Sequence, residues 1–409
     1  MWRPEKHDLI HLTRELIRRP GTSGREGDVA RFVSDAMRSM GYDSVTVDSY
    51  GSVLGRITLS GRGERPLFVA QMDHVDTGDV AEWSRYPFGA ELEGGRIYGR
   101  AASDQKGALA AMMLAGAMLK ATGGDELRGD VTVAAAVHQE SFEGVASRAI
   151  GEAVAPSCVV VGEASELTIE RGQRGRAEIR IDTFGAMAHS SHPELGINAA
   201  DTMTALLALL REKFQPPHDD FLGDGILVLT GLHTTPIMNS GMVPERCSAL
   251  FDRRLLAGES ASGVLMQIEE IVREAEGVIP GLRAEVSIPV MEDRCYTGAP
   301  IRGNRYAPGW ALPPDAPLLR TLSRALAGAG LPHELSSTPG FGTNGCWYAA
   351  EMGIPTAVYG PSGREMVHGM DEYVEVEDLL SACRGYYAMM RSLLENKEDI
   401  GRGGYGTGD

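Results

Sequence analysis

The stretch Pro66-Leu-Phe-Val-Ala-Gln-Met-Asp-His-Val-Asp76 decides the fold. Its apolar part, 67–71, is the kind of short run that fills a strand buried on both faces. It then gives way at once to acids and an imidazole. In open α/β sheets ligands gather just outside the carboxyl ends of the strands, which is where His74 and Asp76 would stand. The pattern repeats along the chain. The run 130–138 leads into Glu140, the run 157–161 leads into Glu163, and the run 356–359 precedes Gly360-Pro-Ser-Gly363 and His368. Amphipathic stretches at 8–18 and 26–40 and a Met- and Ala-rich stretch at 106–122 carry helical spacing between short strands at 44–47, 53–58 and 67–71. Strands alternating with helices predict an α/β layer: helices sandwiching a mostly parallel, twisted sheet.

The texture changes near Gly175. From there the order is strand 177–184, helix 198–213, strands 225–232 and 247–255, helix 263–275 and strand 283–289. This β-α-β-β-α-β series is the split βαβ pattern of a ferredoxin-like α+β unit. Helix 313–327, strand 356–359 and helix 376–396 return to the first style. The division expected is therefore a discontinuous α/β domain, 1–178 plus 295–409, interrupted by a lid domain at 179–294, with a Gly-rich, mobile tail at 401–409.

The 409 residues, at roughly 150 per domain, suit two or three domains. Hydrophobic residues make up 43% and charged residues 23%, which excludes a disordered or fibrous chain. A net charge of −17 repels phosphate backbones, and no basic patch interrupts it, so nucleic acid is not an expected partner. The apolar run 108–119 falls short of the ~20 residues a membrane span needs. The start carries no charged segment followed by an apolar one, and the 5 cysteines are scattered without a CxxC. The expectation is a cytoplasmic protein with reduced thiols.

His74, Asp104, Glu140, Glu163 and His368 are five potential ligands at one predicted sheet edge. Two imidazoles and three carboxylates, one of them bridging, suit a pair of ions ~3.5–4 Å apart. That donor mixture favours Zn²⁺, with Co²⁺ or Mn²⁺ as alternatives. Taken singly, each residue has a plainer reading: Asp104 fits an N-cap for helix 106–122, and Asp76 a solvent-facing strand end.

In combination, the blocks resemble the dizinc exopeptidase and deacylase family of glutamate carboxypeptidase, aminoacylase, carnosinase-like dipeptidases and succinyl-diaminopimelate desuccinylase. The matching text is His74-Val-Asp76, Gly99-Arg-Ala-Ala-Ser-Asp104-Gln-Lys-Gly107, Gly162-Glu163-Ala-Ser165 and His368-Gly-Met-Asp-Glu372. Residues 337–345 and 251–255 bring it nearest the selenium-metabolism-linked hydrolase branch. The resemblance implies a zinc exopeptidase-like fold and two zinc ions, with His74 and Glu163 on one, Glu140 and His368 on the other, and Asp104 between them. It implies that Asp76 orients His74 and that His189, in Ala188-His-Ser-Ser-His-Pro193, donates to the oxyanion, often across a homodimer formed through the lid domain. It places the substrate carboxylate near Asn239 and Arg254, with Arg253 competing, and near backbone N–H groups of the 360–363 loop, Gly360 and Ser362 among them. The implied activity is hydrolysis of an amide bond in a small carboxylate such as an N-acyl amino acid or dipeptide.

One position departs from the family. Its members carry two successive glutamates, a general base and then a ligand, where this chain reads His138-Gln139-Glu140. Anchored on Gly144, Gln139 occupies the base position, and a carboxamide cannot accept a proton from water at neutral pH. Three readings stand: an engineered Glu→Gln trap of an otherwise hydrolytic chain, a natural member turned to acyl transfer, condensation or binding, or a register slip that makes Glu140 the base. The slip is least favoured because Ser141 is a poor zinc ligand. His138 and Glu143 are substitute bases by position, although His138 alternates to the opposite face.

Overall fold

The computed structural model describes residues 6–124, 126–236 and 241–395. Asn239 and the tail 401–409 lie outside the described residues. The chain divides into two compact units. One is Met1–Gln173 with Glu292–Arg302 and Trp310–Asp409, and the other is Arg174–Met291 with Gly303–Gly309.

The first unit is built on a six-stranded sheet in the order Ser44–Val47, Val53–Thr58, Asp130–Ala136, Pro66–Gln71, Cys158–Val161, Thr356–Val358. The last four run parallel, and the first two are antiparallel additions at one edge. Pro66–Gln71 and Cys158–Val161 are buried at every residue, as apolar runs covered on both faces must be. Helix Gly107–Thr122 is buried all round through Leu119 and packs against both the sheet and helix Val376–Glu395. Small and flexible side chains (Ala, Gly, Met) allow that close approach. Register positions the chemistry: Gln71 stands opposite Ala136, and Val69 opposite Val161. Neighbouring parallel strands therefore end together, and the residues that follow them emerge along one edge.

The second unit is an antiparallel sheet in the order Ile226–Thr235, Arg246–Leu255, Gly175–Phe184, Ala284–Ser287. In chain order these are the second, third, first and fourth strands, the ferredoxin-like arrangement. Helices Ala199–Lys213 and Ala261–Val278 bury Met203, Leu206 and Ile268 against Ile179, Ile181 and Phe251. Asn198 and Ser260 cap them by accepting N–H bonds from Ala200 and Gly263.

The structure corrects the expected domain bounds. A boundary at 178/179 would cut the central strand Gly175–Phe184, and 303–309 returns to this unit because Tyr306 and Ala307 pair with Ala177 and Arg176. Helix Val145–Val154 and the ribbon of Glu91–Glu93, Arg96–Tyr98 and Tyr373–Glu375 were not anticipated. The helix starts at Gly144 without a side-chain cap, and three-residue strands show no period.

Candidate metal centre

Two of the side chains at the sheet edge, Glu140 and Asp104, are aimed by buried acids. Asp73, fully buried, accepts N–H bonds from Gln139 (3.1 Å) and Glu140 (3.0 Å) and the hydroxyl of Ser23 (2.7 Å). It thereby caps the short helix Gln139–Phe142 and fixes Glu140. Glu372 does the same for Asp104. Its carboxylate takes the N–H groups of Ala101 (2.9 Å), Ser103 (2.8 Å) and Asp104 (3.1 Å) and pairs with Arg100 at 2.9 Å, with both charges buried. A buried ion pair needs its remaining polar atoms bonded; both Glu372 oxygens are, and the Arg100 terminal nitrogens also reach the Gly369 and His368 carbonyls, while Arg100 Nε has no partner.

Asp104, Glu140 and His368 come together. His368 Nε2 lies 3.0 Å from Asp104 Oδ2 and 3.4 Å from Glu140 Oε2, and the three potential ligand atoms all lie within 4.8 Å of one another. Hydrogen bonds to Asp104 and Glu140 push the His368 imidazole up to about 10. Burial, with Asp104 and Asp73 nearby, raises Glu140 to about 8. Glu140 and the His368 imidazole hold protons that a divalent cation would displace, and this donor set suits such an ion.

His74 and Glu163 do not join that group. The His74 ring lies with Nδ1 2.8 Å from the Val75 carbonyl, and its Nε2 accepts the Gly21 N–H at 2.9 Å. Burial and the Lys106 and Arg100 charges lower it to about 4, so it is neutral. Glu163 accepts from Gln105 Nε2 at 2.5 Å and from the Ala164 N–H at 2.8 Å. Burial beside Asp104 raises its carboxyl well above the ordinary range. Asp76 is exposed and accepts the Gly78 N–H, so the His74 partner is the Val75 carbonyl and not Asp76. The expected five-ligand set is therefore three ligands in one place.

Gln71 and Gln105 were not anticipated. Gln71 Nε2 donates to Asp104 Oδ1 (3.0 Å) and Glu140 Oε1 (2.8 Å). Gln105 Oε1 accepts the Gln71 N–H, and its Nε2 reaches Gln71 Oε1 at 3.2 Å. A neutral carboxamide at the end of an apolar strand gives no signal in sequence. Gln139 is buried, and its Oε1 has no hydrogen-bond partner. His138 places its ring against Phe142, away from any role as base.

The substrate-side residues separate as clearly. Gly360 spends its N–H on Ser165 Oγ and its carbonyl on the Leu167 N–H, which corrects its expected role as an anion donor. Ser362 is buried with a partnerless hydroxyl. In the second unit Arg253 is fully buried and paired with Glu259 at 2.5 Å, whereas Arg254 is 42% exposed and paired with Asp252 at 2.7 Å. His189 is exposed, and its Nδ1 accepts the Ser191 N–H at 3.2 Å, so a neutral ring carries its proton on Nε2.

The sequence profile of Peptidase family M20/M25/M40 matches residues 67–392. The chain is 31% identical over 395 residues to the uncharacterized protein YgeY of Escherichia coli K12, covering 95% of this chain and 94% of that one. It is 27% identical over 391 residues to succinyl-diaminopimelate desuccinylase of Cereibacter sphaeroides, covering 91% and 95%. The solved YXEP protein of Bacillus subtilis, a dinuclear metal binding peptidase from the M20 family, superposes with a TM-score of 0.69 at 17% identity over 95% of this chain and 98% of that one.

Proposed function

The chain belongs to Peptidase family M20/M25/M40, a family of hydrolases, and from that premise we propose that it acts on an amide bond in a small carboxylate substrate, an N-acyl amino acid or a dipeptide, with a divalent cation held by Asp104, Glu140 and His368. The observation that carries this reading is the convergence of those three side chains at the carboxyl edge of the parallel strands. A divalent cation at such a place polarises a carbonyl and acidifies water. Zn²⁺ suits the two carboxylates and one imidazole, with Co²⁺ or Mn²⁺ as substitutes.

The chain's own residues divide the remaining work. Arg254 offers a planar fork to the substrate carboxylate and Ser362 a hydroxyl. The Nε2–H of His189 is an oxyanion donor. Gln139 stands where proton transfer is needed and cannot perform it. Its carboxamide therefore favours a second reading as well, in which water attack is suppressed and the chain transfers or condenses acyl groups or only binds them. We also propose a homodimer formed through the edge strand Ile226–Thr235, where Val228 and Leu232 are about half exposed. The 5 buried free cysteines support a reducing, cytoplasmic setting.

The deciding experiment is zinc-dependent turnover of a panel of N-acyl amino acids and dipeptides by the wild type and Gln139→Glu. General acid–base help is worth ~10²–10⁴-fold, so kcat is expected to rise by at least about 100-fold in the variant. No rise on any substrate, with metal bound in both proteins, counts against hydrolysis and favours acyl transfer.

A further inference from the structure

We propose that Trp83 and Arg100 are positioning residues for the metal centre: the buried guanidinium of Arg100, seated on the Trp83 ring, holds the main chain at His368 and Gly369 and so aims the His368 imidazole at Asp104 and Glu140. The proposal rests on the metal-dependent reading above and concerns how its imidazole ligand is held.

The backbone that presents His368 would not keep its shape alone. His368 stands at φ +63° and Asp371 at φ +53°, both left-handed and neither a glycine. That conformation crowds Cβ against a carbonyl oxygen and lasts only where the surroundings over-determine it. The His368 side chain is also half exposed, so packing alone does not fix its ring. The main chain is held instead. One terminal nitrogen of Arg100, Nη1, reaches the Gly369 carbonyl at 3.0 Å, and the other, Nη2, reaches the His368 carbonyl at 3.4 Å. Asp371 adds a second tie, since its Oδ1 accepts the Ser84 N–H at 2.9 Å.

Arg100 in turn needs a seat. Its Nη1 is shared with Glu372 at 2.9 Å, and its Nε has no partner. The Trp83 ring takes the flat face of the guanidinium, with Cζ 4.9 Å from the ring centroid. That is within cation–π range, and such a pair strengthens when desolvated, as this one is. The ring is itself anchored, because its Nε1 donates to the Thr77 carbonyl at 2.9 Å. Residues 77–84 therefore form a strap tied to the His368 loop twice, through Trp83 and Arg100 and through Ser84 and Asp371. Asp104 does not depend on the strap. The Glu372 carboxylate that aims it is held by the N–H groups of Ala101, Ser103 and Asp104. The strap acts on His368.

The test is a double-mutant cycle on zinc affinity. The full chain is stripped with a chelator, and Kd for zinc is taken from competition against a chromophoric chelator, well below the melting temperature of each variant. Trp83→Leu is expected to weaken zinc by about 10-fold, the lower end of what an outer partner contributes. Trp83→Phe keeps an aromatic face and should stay within about 3-fold of the wild type. His368→Ala should weaken zinc by more than about 100-fold, and adding Trp83→Leu to it should cost less than about 2-fold more, because the residue through which Trp83 acts is gone. Asp371→Ala removes the second tie and should weaken zinc by about 10-fold, whereas Asp371→Asn keeps an acceptor oxygen and tolerates the left-handed backbone. A Trp83→Leu protein with a lower melting temperature and the wild-type Kd would reduce Trp83 to core packing and overturn the proposal. The same 10-fold loss in the His368→Ala background, or a Trp83→Phe as weak as Trp83→Leu, would overturn it too. Each of these leaves the metal-dependent reading standing. A wild type that binds no zinc, Co²⁺ or Mn²⁺ would overturn both.

Discussion

Glu26 shows how a single buried side chain sets a pH response. It is fully buried, and its Oε1 accepts the N–H groups of Gly24 and His138 while Oε2 has no partner. Burial, with Asp73 adding to it, pushes its carboxyl from 4.5 up to about 7. Below about 4.5 the group is protonated in both folded and unfolded chains and costs nothing. As pH rises from there to about 7 the unfolded chain ionises first, so stability is lost, reaching a penalty of about 3 kcal/mol at higher pH. Glu26→Gln keeps the acceptor oxygen and cannot ionise. Any cost of its orphaned amide is the same at every pH. The expected outcome is that the melting temperature of Glu26→Gln gains on the wild type between pH 5 and pH 8. Parallel melting curves across that range would show that Glu26 is ionised in the folded protein at its ordinary pH. At this scale the sequence was partly legible. His368 and Asp104 were named as ligands from their blocks. His74 was named too, but no local pattern encodes that the Gly21 amide reaches its ring, and Gln71 and Gln105 look like ordinary polar residues until the fold brings them to carboxylates.

Elements carry those side chains, and their junctions tolerate little change. Gly144 links the short helix bearing Glu140 to helix Val145–Val154 at φ +84°, a backbone state that suits glycine. A Cβ there would fall 1.5 Å from Trp347 Cδ1, and the Trp347 ring is tied by its Nε1 to the Glu143 carbonyl. Gly144→Ala is therefore expected to destabilise by more than ~1 kcal/mol, read as a lower melting temperature, and to loosen zinc through Glu140. A variant with unchanged melting temperature and zinc Kd would show that the ring moves aside freely. The long elements follow from periodicity: helix Ala199–Lys213 and strand Val53–Thr58 fall where their apolar spacing puts them. The ribbon strands are too short to hold a period, and their pairing across Tyr373–Glu375 and Arg96–Tyr98 spans most of the chain.

At the scale of the whole molecule, the two units have different origins in the sequence. Parallel strands buried on both faces read as unbroken apolar runs, and strands covered on one face alternate, so the change of texture near Gly175 marks the change of unit. The fold is that shared by the M20 peptidases. The edge strand Ile226–Thr235 leaves Val228 and Leu232 about half exposed, and an uncovered apolar edge is costly in isolation. If a second copy covers it, the wild type should scatter light with twice the chain's mass, and Val228→Lys with Leu232→Lys should halve that value. A wild type that is monomeric at micromolar concentration would remove the dimer. What the sequence determined by itself was the pair of architectures and the edge at which the chemistry collects, since these depend on local periodicity and residue type. What only the tertiary structure decided was which ligands meet. The partners of His74 and Glu163 come from Gly21 and Gln105, more than fifty residues away in each case, and hydrogen-bond direction in a buried site is fixed by neighbours that no stretch of sequence contains.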